Sequence, residues 1–379
     1  MKIAVYKDTL ANNRGADIAV RNLAAGLSER GHGVTLFEKD ELREKALGGY
    51  DVMVAAGTNE LLDLAEMDGL PPIVMQFHTD SAYQFRHWIK KWRRNRAIKN
   101  AMRKCAAIQV LRDEHVPFVS RIAPDVPVSV IGNWSEYGAT EAAPPAAHFA
   151  GESASATAAT SCDPPVQHTT TRASSLRIAS SNIESTSSTL LHGLSPNPQI
   201  QSEIENRKIE NRQSPTILYP AAINKDKNQR LLVEAFRLIA DDFPEWEVRL
   251  YGKGKPNFKS HPKVRLMGFA DLARPFAECA FVAFPSKTEG FGLVIADAAA
   301  FGKPAVMIHD WIGTCAAGGG IVTAPNIRAF AEGLRTMMSN AAMRLKMGGA
   351  ARAYCSQRHS RTKILDLWET LLQNVGCGL

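Results

Sequence analysis

The chain has 379 residues and a mass of 41.4 kDa, a length that suits two domains. Hydrophobic residues at 45%, charged residues at 22% and aromatics at 7% exclude a chain that is disordered, collagen-like or coiled coil throughout. A net charge of +7 points to an anionic partner (nucleic acid, a phosphorylated ligand or anionic lipid) without choosing among them.

No apolar run approaches the roughly 20 residues that cross a bilayer. Met1–Tyr6 enters a strand-like stretch directly, without the apolar core of a signal peptide. The six cysteines are scattered with no Cys-x-x-Cys pair, which argues against zinc and against a disulfide framework. The expected setting is a reducing cytoplasm, with no metal.

Lys2–Tyr6 reads as a strand. Asp17–Arg30 reads as a helix, with Val20, Leu23, Ala24 and Leu27 on one stripe and Gly31 past its end. Val34–Phe37, Asp51–Ala56, Ile73–Phe77, Ala107–Leu111 and Val126–Ile131 follow as strands, and Asp51–Ala56 has the apolar composition of a central, doubly covered one. Strands alternating with helical patterns predict βαβ units and a parallel sheet. From 140 to 213 the chain turns rich in Ser, Thr, Ala and Pro and loses its apolar period, which predicts a disordered linker or insertion. Alternation resumes with strands at Thr216–Tyr219, Trp246–Tyr251, Val264–Met267, Ala280–Phe284 and Ala305–Ile308. Helices are predicted at Gln229–Ala240, Leu293–Phe301, Ile327–Met338, Ala342–Tyr354 and Lys363–Val375.

One stretch concentrates the chemistry: Pro285-Ser286-Lys287-Thr288-Glu289-Gly290-Phe291-Gly292-Leu293 and on to Asp297, Gly302 and Pro304. An apolar strand ends at Pro285, a glycine-containing loop follows, and a helix begins near Gly292. In an open α/β sheet, ligands bind where strands end and helices begin, and a helix N-terminus suits phosphate. Glu289 lies in the loop and Asp297 about two helical turns on. Taken alone, the two acids read more readily as solvated side chains than as a diol-binding pair.

In context, this stretch resembles the Glu-x7-Glu signature of family 4 of the retaining glycosyltransferases, a large group with the GT-B fold. Nearly every position agrees, except that the second acid is Asp297 instead of Glu. The resemblance implies that Glu289 meets the donor sugar near its reacting end and Asp297 the ribose. It also implies that amides at Gly290, Phe291, Gly292 and Leu293 cradle the diphosphate or sugar.

Lys227, after the strand ending at Tyr219, falls on the family's diphosphate-binding Lys. The family's neighbouring Arg falls on Ala222. Lys225 is either a substitute for that Arg or a solvated loop charge. Gly252-Lys253-Gly254 resembles a family Gly-x-Gly near the nucleotide. In the first half, Arg14 and Gly15 lie where the family's glycine loop faces the donor phosphates, and His78 lies where a family His approaches the sugar. Val110–His115 and Val130–Asn133 also resemble family segments.

Phe85–Lys104 gathers Arg86, Lys90, Lys91, Arg93, Arg94, Arg96, Lys99, Arg103 and Lys104. Phe85, Trp88, Ile89 and Trp92 recur within it at helical spacing. Trp88 and Trp92 with Lys90, Lys91, Arg93 and Arg94 fit a helix lying on an anionic membrane or meeting a lipid-linked acceptor. An ordinary helix packed on the sheet is the competing reading. No nucleic-acid module accompanies the charge.

The expected fold is therefore GT-B: α/β, two Rossmann-like domains facing across a cleft. Expected boundaries are 1–139 (acceptor domain), 140–213 (low-complexity segment), 214–360 (donor domain) and 361–379 (a helix packing back on the first domain). The resemblance implies transfer of a sugar from a nucleotide diphosphate sugar to a glycan or lipid-linked acceptor, with retention and without an essential metal. Catalytic roles fall to Glu289, His78 and Lys227, in cell-surface polysaccharide synthesis on the inner face of the membrane. Two other readings stay open: a catalytically impaired nucleotide-sugar binder acting as a partner subunit, and a peripheral membrane-binding protein.

Overall fold

The computed structural model describes residues 1–10, 15–42, 47–78, 92–138 and 214–377. The stretch 140–213 falls outside them, as do Arg14, Trp88, Lys90 and Lys91.

The first half runs β1 (Lys2–Tyr6), α1 (Gly15–Glu29), β2 (Gly33–Phe37), α2 (Lys39–Leu42), β3 (Val52–Ala55), α3 (Thr58–Leu64), β4 (Ile73–Phe77), α4 (Trp92–Met102), β5 (Ala107–Val110), α5 (Val116–Ile122) and β6 (Val128–Val130). Its six strands are all parallel, in the order β2-β1-β3-β4-β5-β6. β1, β3 and β5 are almost wholly apolar because both faces of the sheet are covered. One face packs Met53, Met75, Ile108 and Val110 against Ile98 and Met102 of α4 and Val119 of α5. The other packs Ile3, Val5, Val52, Val54 and Val74 against Val20, Leu23 and Leu27 of α1.

The second half runs β7 (Thr216–Pro220), α6 (Gln229–Arg237), β8 (Glu247–Tyr251), β9 (Val264–Gly268), α7 (Ala273–Glu278), β10 (Phe281–Phe284), α8 (Leu293–Ala300), β11 (Ala305–Met307), β12 (Gly320–Val322), α9 (Ile327–Ser339), α10 (Ala341–Arg358) and α11 (Arg361–Gly376). Its sheet is again six-stranded and parallel, in the order β12-β11-β10-β7-β8-β9. Asn326, Asn340 and Ser360 each accept an amide hydrogen bond at a helix start, which is why three consecutive helices begin where they do.

The strand order reverses between β1 and β3 in the first sheet and between β7 and β10 in the second. Connections from neighbouring strands leave in opposite directions there, so a crevice opens at the C-terminal strand ends.

The chain passes between the halves at two places. Trp134 is buried in the first core, whereas Tyr137 packs edge-on to Phe276 and 5.3 Å from Phe301 of the second. The second passage is at His359 and Ser360. Beyond it, Ile364, Leu365 and Trp368 of α11 are buried in the first core. Gly26 lets α1 and α11 approach closely: a Cβ there would lie 2.8 Å from Leu365. Arg30 adds ion pairs to Asp366 (2.7 Å) and Glu369 (2.6 Å). The two passages adjoin, since a Cβ on Gly132 would lie 2.8 Å from Phe291 and 3.2 Å from His359 Nδ1.

Most element bounds shift by one to four residues from the sequence expectation, and three elements illustrate it. The Gln229–Ala240 helix ends at Arg237, Ala342–Tyr354 extends to Ala341–Arg358, and Val126–Ile131 shortens to Val128–Val130. These shifts lie at element ends, where apolar side chains continue into turns that pack on the same core.

Candidate active site

The second switch point holds two loops, one after β7 and one after β10. Asn224 organises the first: its Oδ1 accepts from the amides of Asp226 (3.0 Å) and Lys227 (2.9 Å), and this turn aims Lys227 inward. The loops are tied together. Lys287 N–H donates to the Asp226 carbonyl (2.8 Å), and Asn228 Nδ2 donates to the Pro285 carbonyl (3.2 Å). Below them the fully buried Tyr219 hydroxyl donates to the Lys227 carbonyl (2.7 Å) and accepts from the buried Ser286 (2.8 Å). Burial, reinforced by the Glu289 charge, holds the Tyr219 phenol well above its ordinary pKa, so it acts as a fixed neutral strut. With both loops fixed, the Lys227 ammonium pairs directly with the Glu289 carboxylate.

Gly292 precedes α8 with φ 101°, the left-handed conformation, and no side chain caps this helix. The first amides of α8 therefore remain for a ligand. Asp297 lies further along α8 beside the first passage, where Ser135 donates a hydrogen bond to it. Burial raises the Asp297 carboxyl to about 7; the Ser135 bond opposes this rise and the Glu136 charge adds to it.

Gly252 and Gly254 pack closely against the loop after β7. Both hold positive φ (143° and 145°), and a Cβ on Gly252 would strike the Ala221 carbonyl and one on Gly254 the Ile223 carbonyl. They let the end of β8 lie against the β7 loop, with Ile223 N–H donating to the Lys253 carbonyl at 2.8 Å. They shape the loop that presents Lys227.

Two first-half residues, Gly15 and His78, lie against this site. Gly15 at the start of α1 faces Leu293, 3.3 Å from where its Cβ would be. The His78 carbonyl lies 1.9 Å from a Cβ built on Gly290, so only glycine fits there. The His78 imidazole is held neutral at about pKa 3, first by burial and then by the Lys7 charge. Its Nε2 is buried and has no hydrogen-bond partner among the described residues.

Sequence reading missed two features. Lys7, after β1, pairs with Asp8 (2.5 Å) and with the buried Glu60 of α3. Arg112, after β5, reaches the Glu289–Gly290 backbone. Lys7–Asp8 at the end of an apolar strand was a readable signal for the first; Arg112 lies in the Val110–His115 stretch that resembles the family, which carried no sign of its reach to the loop after β10.

Trp92 is 49% exposed, with Arg96 over its ring at 5.6 Å. Arg93 is exposed, and Arg94 donates to Asn59. Asn95, Ile98, Ala101 and Met102 form the buried face of α4. The described part of the basic segment is thus packed on one side and cationic on the other. Among the described residues, no helix is long and apolar enough to cross a membrane.

Two parallel α/β domains of six strands each, facing through their strand ends, form the GT-B glycosyltransferase fold. Residues 214–340 match the profile of the family described as Glycosyl transferases group 1. The chain is 25% identical over 185 residues to an uncharacterized glycosyltransferase of Haemophilus influenzae, across 44% of this chain and 50% of that one, so it spans half that relative's length. The Anabaena protein HepE, solved in complex with UDP-glucose, superposes with a TM-score of 0.63 at 18% identity, covering 98% of this chain and 99% of its own. Sucrose-phosphate synthase from Thermosynechococcus elongatus superposes with 0.67 at 14% identity, with full coverage of both chains. Likeness at such identity carries the fold.

Proposed function

We propose that the protein is a retaining glycosyltransferase that moves a sugar from a nucleotide diphosphate sugar to a glycan or lipid-linked acceptor in cell-surface polysaccharide synthesis. The observation that carries this reading is the Lys227–Glu289 pair at the second switch point, beside the uncapped start of α8. The match of residues 214–340 to the group 1 family supports it.

The diphosphate takes the Lys227 ammonium and the amides of Phe291, Gly292 and Leu293, so the developing charge of the leaving group meets fixed donors. Losing Lys227 to phosphate frees the Glu289 carboxylate to face the sugar, where it supports positive charge building at the reacting carbon. His78, neutral and with an open Nε2, offers a hydrogen bond to a sugar hydroxyl. Asp297 exchanges its Ser135 contact for the ribose hydroxyls. Lys227 and the helix-end amides replace a metal in this scheme, so EDTA is expected to leave turnover intact. The acceptor occupies the first half, and Trp88, Trp92, Lys90, Lys91, Arg93 and Arg94 bring that half to the inner face of the membrane, with each cation contributing about 1 kcal/mol at an anionic surface.

The test is transfer from labelled nucleotide sugars with product anomers assigned by NMR. Retention with one donor, and its loss in E289A, supports the proposal; inversion refutes the stereochemical part. A second reading, a nucleotide-sugar-binding partner subunit, is favoured by Ala222 and Asp297 standing where the family has Arg and Glu. It predicts donor binding without turnover for any acceptor.

A further inference from the structure

Arg112 belongs to the first half, where its Nη2 meets His115 Nε2 at 3.2 Å, and its guanidinium also reaches the second. Nε donates to the Gly290 carbonyl (3.1 Å) and Nη2 to the Glu289 carbonyl (3.2 Å). Nη1 donates to Glu114 (3.0 Å), and the guanidinium carbon lies 4.9 Å from the centre of the Trp311 ring. The side chain is only 8% exposed.

Two consecutive carbonyls aimed at one guanidinium have a geometric consequence. A trans peptide is planar, with its C=O and the following N–H pointing in opposite directions. Drawing the Glu289 carbonyl toward Arg112 turns the Gly290 N–H away from it. Drawing the Gly290 carbonyl the same way turns the Phe291 N–H away. Glycine at 290 leaves these peptide planes free to rotate at low cost, so without a partner the loop has no fixed amide direction. The planar fork of Arg can hold both carbonyls together, which a Lys ammonium does less well.

We propose that Arg112 is a positioning residue. By gripping the Glu289 and Gly290 carbonyls from the opposite half, it points the Gly290 and Phe291 amides at the donor and completes the site only when the halves are together. The proposal rests on the nucleotide-sugar reading for what those amides bind, while the orientation of the loop does not depend on it.

The experiment is hydrogen–deuterium exchange on the full chain without donor, for wild type, R112Q and R112K, followed by transfer kinetics. R112K retains charge in the buried site should R112Q fold poorly. Expected is exchange in the 285–293 peptide about 10-fold faster in R112Q and less so in R112K, with the 20–29 peptide of α1, which Arg112 does not touch, unchanged. Expected in kinetics is a fall in kcat of about 100-fold with donor KM within about 3-fold, since Lys227 is untouched. Unchanged exchange in the loop, or a rise spread evenly over the first half, overturns the proposal, as does a fall in melting temperature with kcat preserved. If wild type binds no nucleotide sugar, the functional reading fails, and loop exchange alone decides the role of Arg112.

Discussion

Lys227 and Glu289 stand 62 positions apart and meet because each ends a loop at the same switch point. Removing the ammonium in K227A should weaken donor affinity by about 10–100-fold, the weight of a charge-assisted hydrogen bond; titration calorimetry measures it, and unchanged affinity would move the diphosphate elsewhere. Asp297 makes a separate prediction. Its carboxyl is raised from 3.8 to about 7 by burial, so the folded state holds a proton that the unfolded state has released. That contribution is complete below pH 3.8 and is lost as pH rises through about 7. D297N, which keeps an acceptor for Ser135, should therefore be more stable than wild type at pH 8, by up to ~4 kcal/mol. Equal melting temperatures at pH 8 would show that Asp297 is not burdened by its charge. The places of Lys227 in the loop after β7, Glu289 in the loop after β10 and Asp297 within α8 were legible in sequence, because strand ends and helix starts were. The reach of Arg112 was not, because its partners are backbone carbonyls 177 and 178 positions away, which no local pattern encodes.

Among the elements, the strands were the most legible, since a strand covered on both faces must be an unbroken apolar run. Gly252 and Gly254 resembled a family Gly-x-Gly near the nucleotide, and the structure adds that the β7 loop packs closely against both. G252A combines a strained φ with a clash against Ala221, and should cost about 2–3 kcal/mol with loss of donor binding; a melting curve like that of wild type would contradict this. Docking of α11 turns on Trp368, fully enclosed between α1 and the first sheet. W368A should cost about 3–5 kcal/mol, and proteolysis should then release the C-terminal helix first. Cleavage beginning elsewhere would place the weak point outside α11. The sequence placed boundaries at 139 and 360, but it carried no sign that Gly132, Phe291 and His359 adjoin, because they are adjacent only after both sheets have formed.

At the scale of the whole molecule, two α/β halves were predicted by alternation alone, and their facing loops meet where Arg112 and His78 lie against Gly290. Acid should loosen the assembly, because His78 and His359 are held neutral with pKa values lowered to about 3 and about 4, chiefly by burial. The unfolded chain takes up protons near 6.5 that these folded sites refuse, so their stabilisation is present above that pH and is lost as pH falls through about 4 and 3. Denaturation followed from pH 7 to 4 measures this, and a flat profile would argue that neither imidazole is enclosed. The net charge of +7 divides between the cationic face around α4 and the lysines near the β7 loop. Reversing Lys90, Lys91, Arg93 and Arg94 should abolish binding to anionic vesicles while leaving donor affinity unchanged. The central claim, a nucleotide-sugar site built on Lys227 and Glu289, is tested most directly by thermal shift against UDP-, GDP- and ADP-sugars in wild type and K227A. One nucleotide class should raise the wild-type melting temperature by several degrees, corresponding to ~2.7 kcal/mol at about 100 times Kd, and leave K227A nearly unmoved. No shift with any nucleotide sugar, or an equal shift in both proteins, would contradict the account.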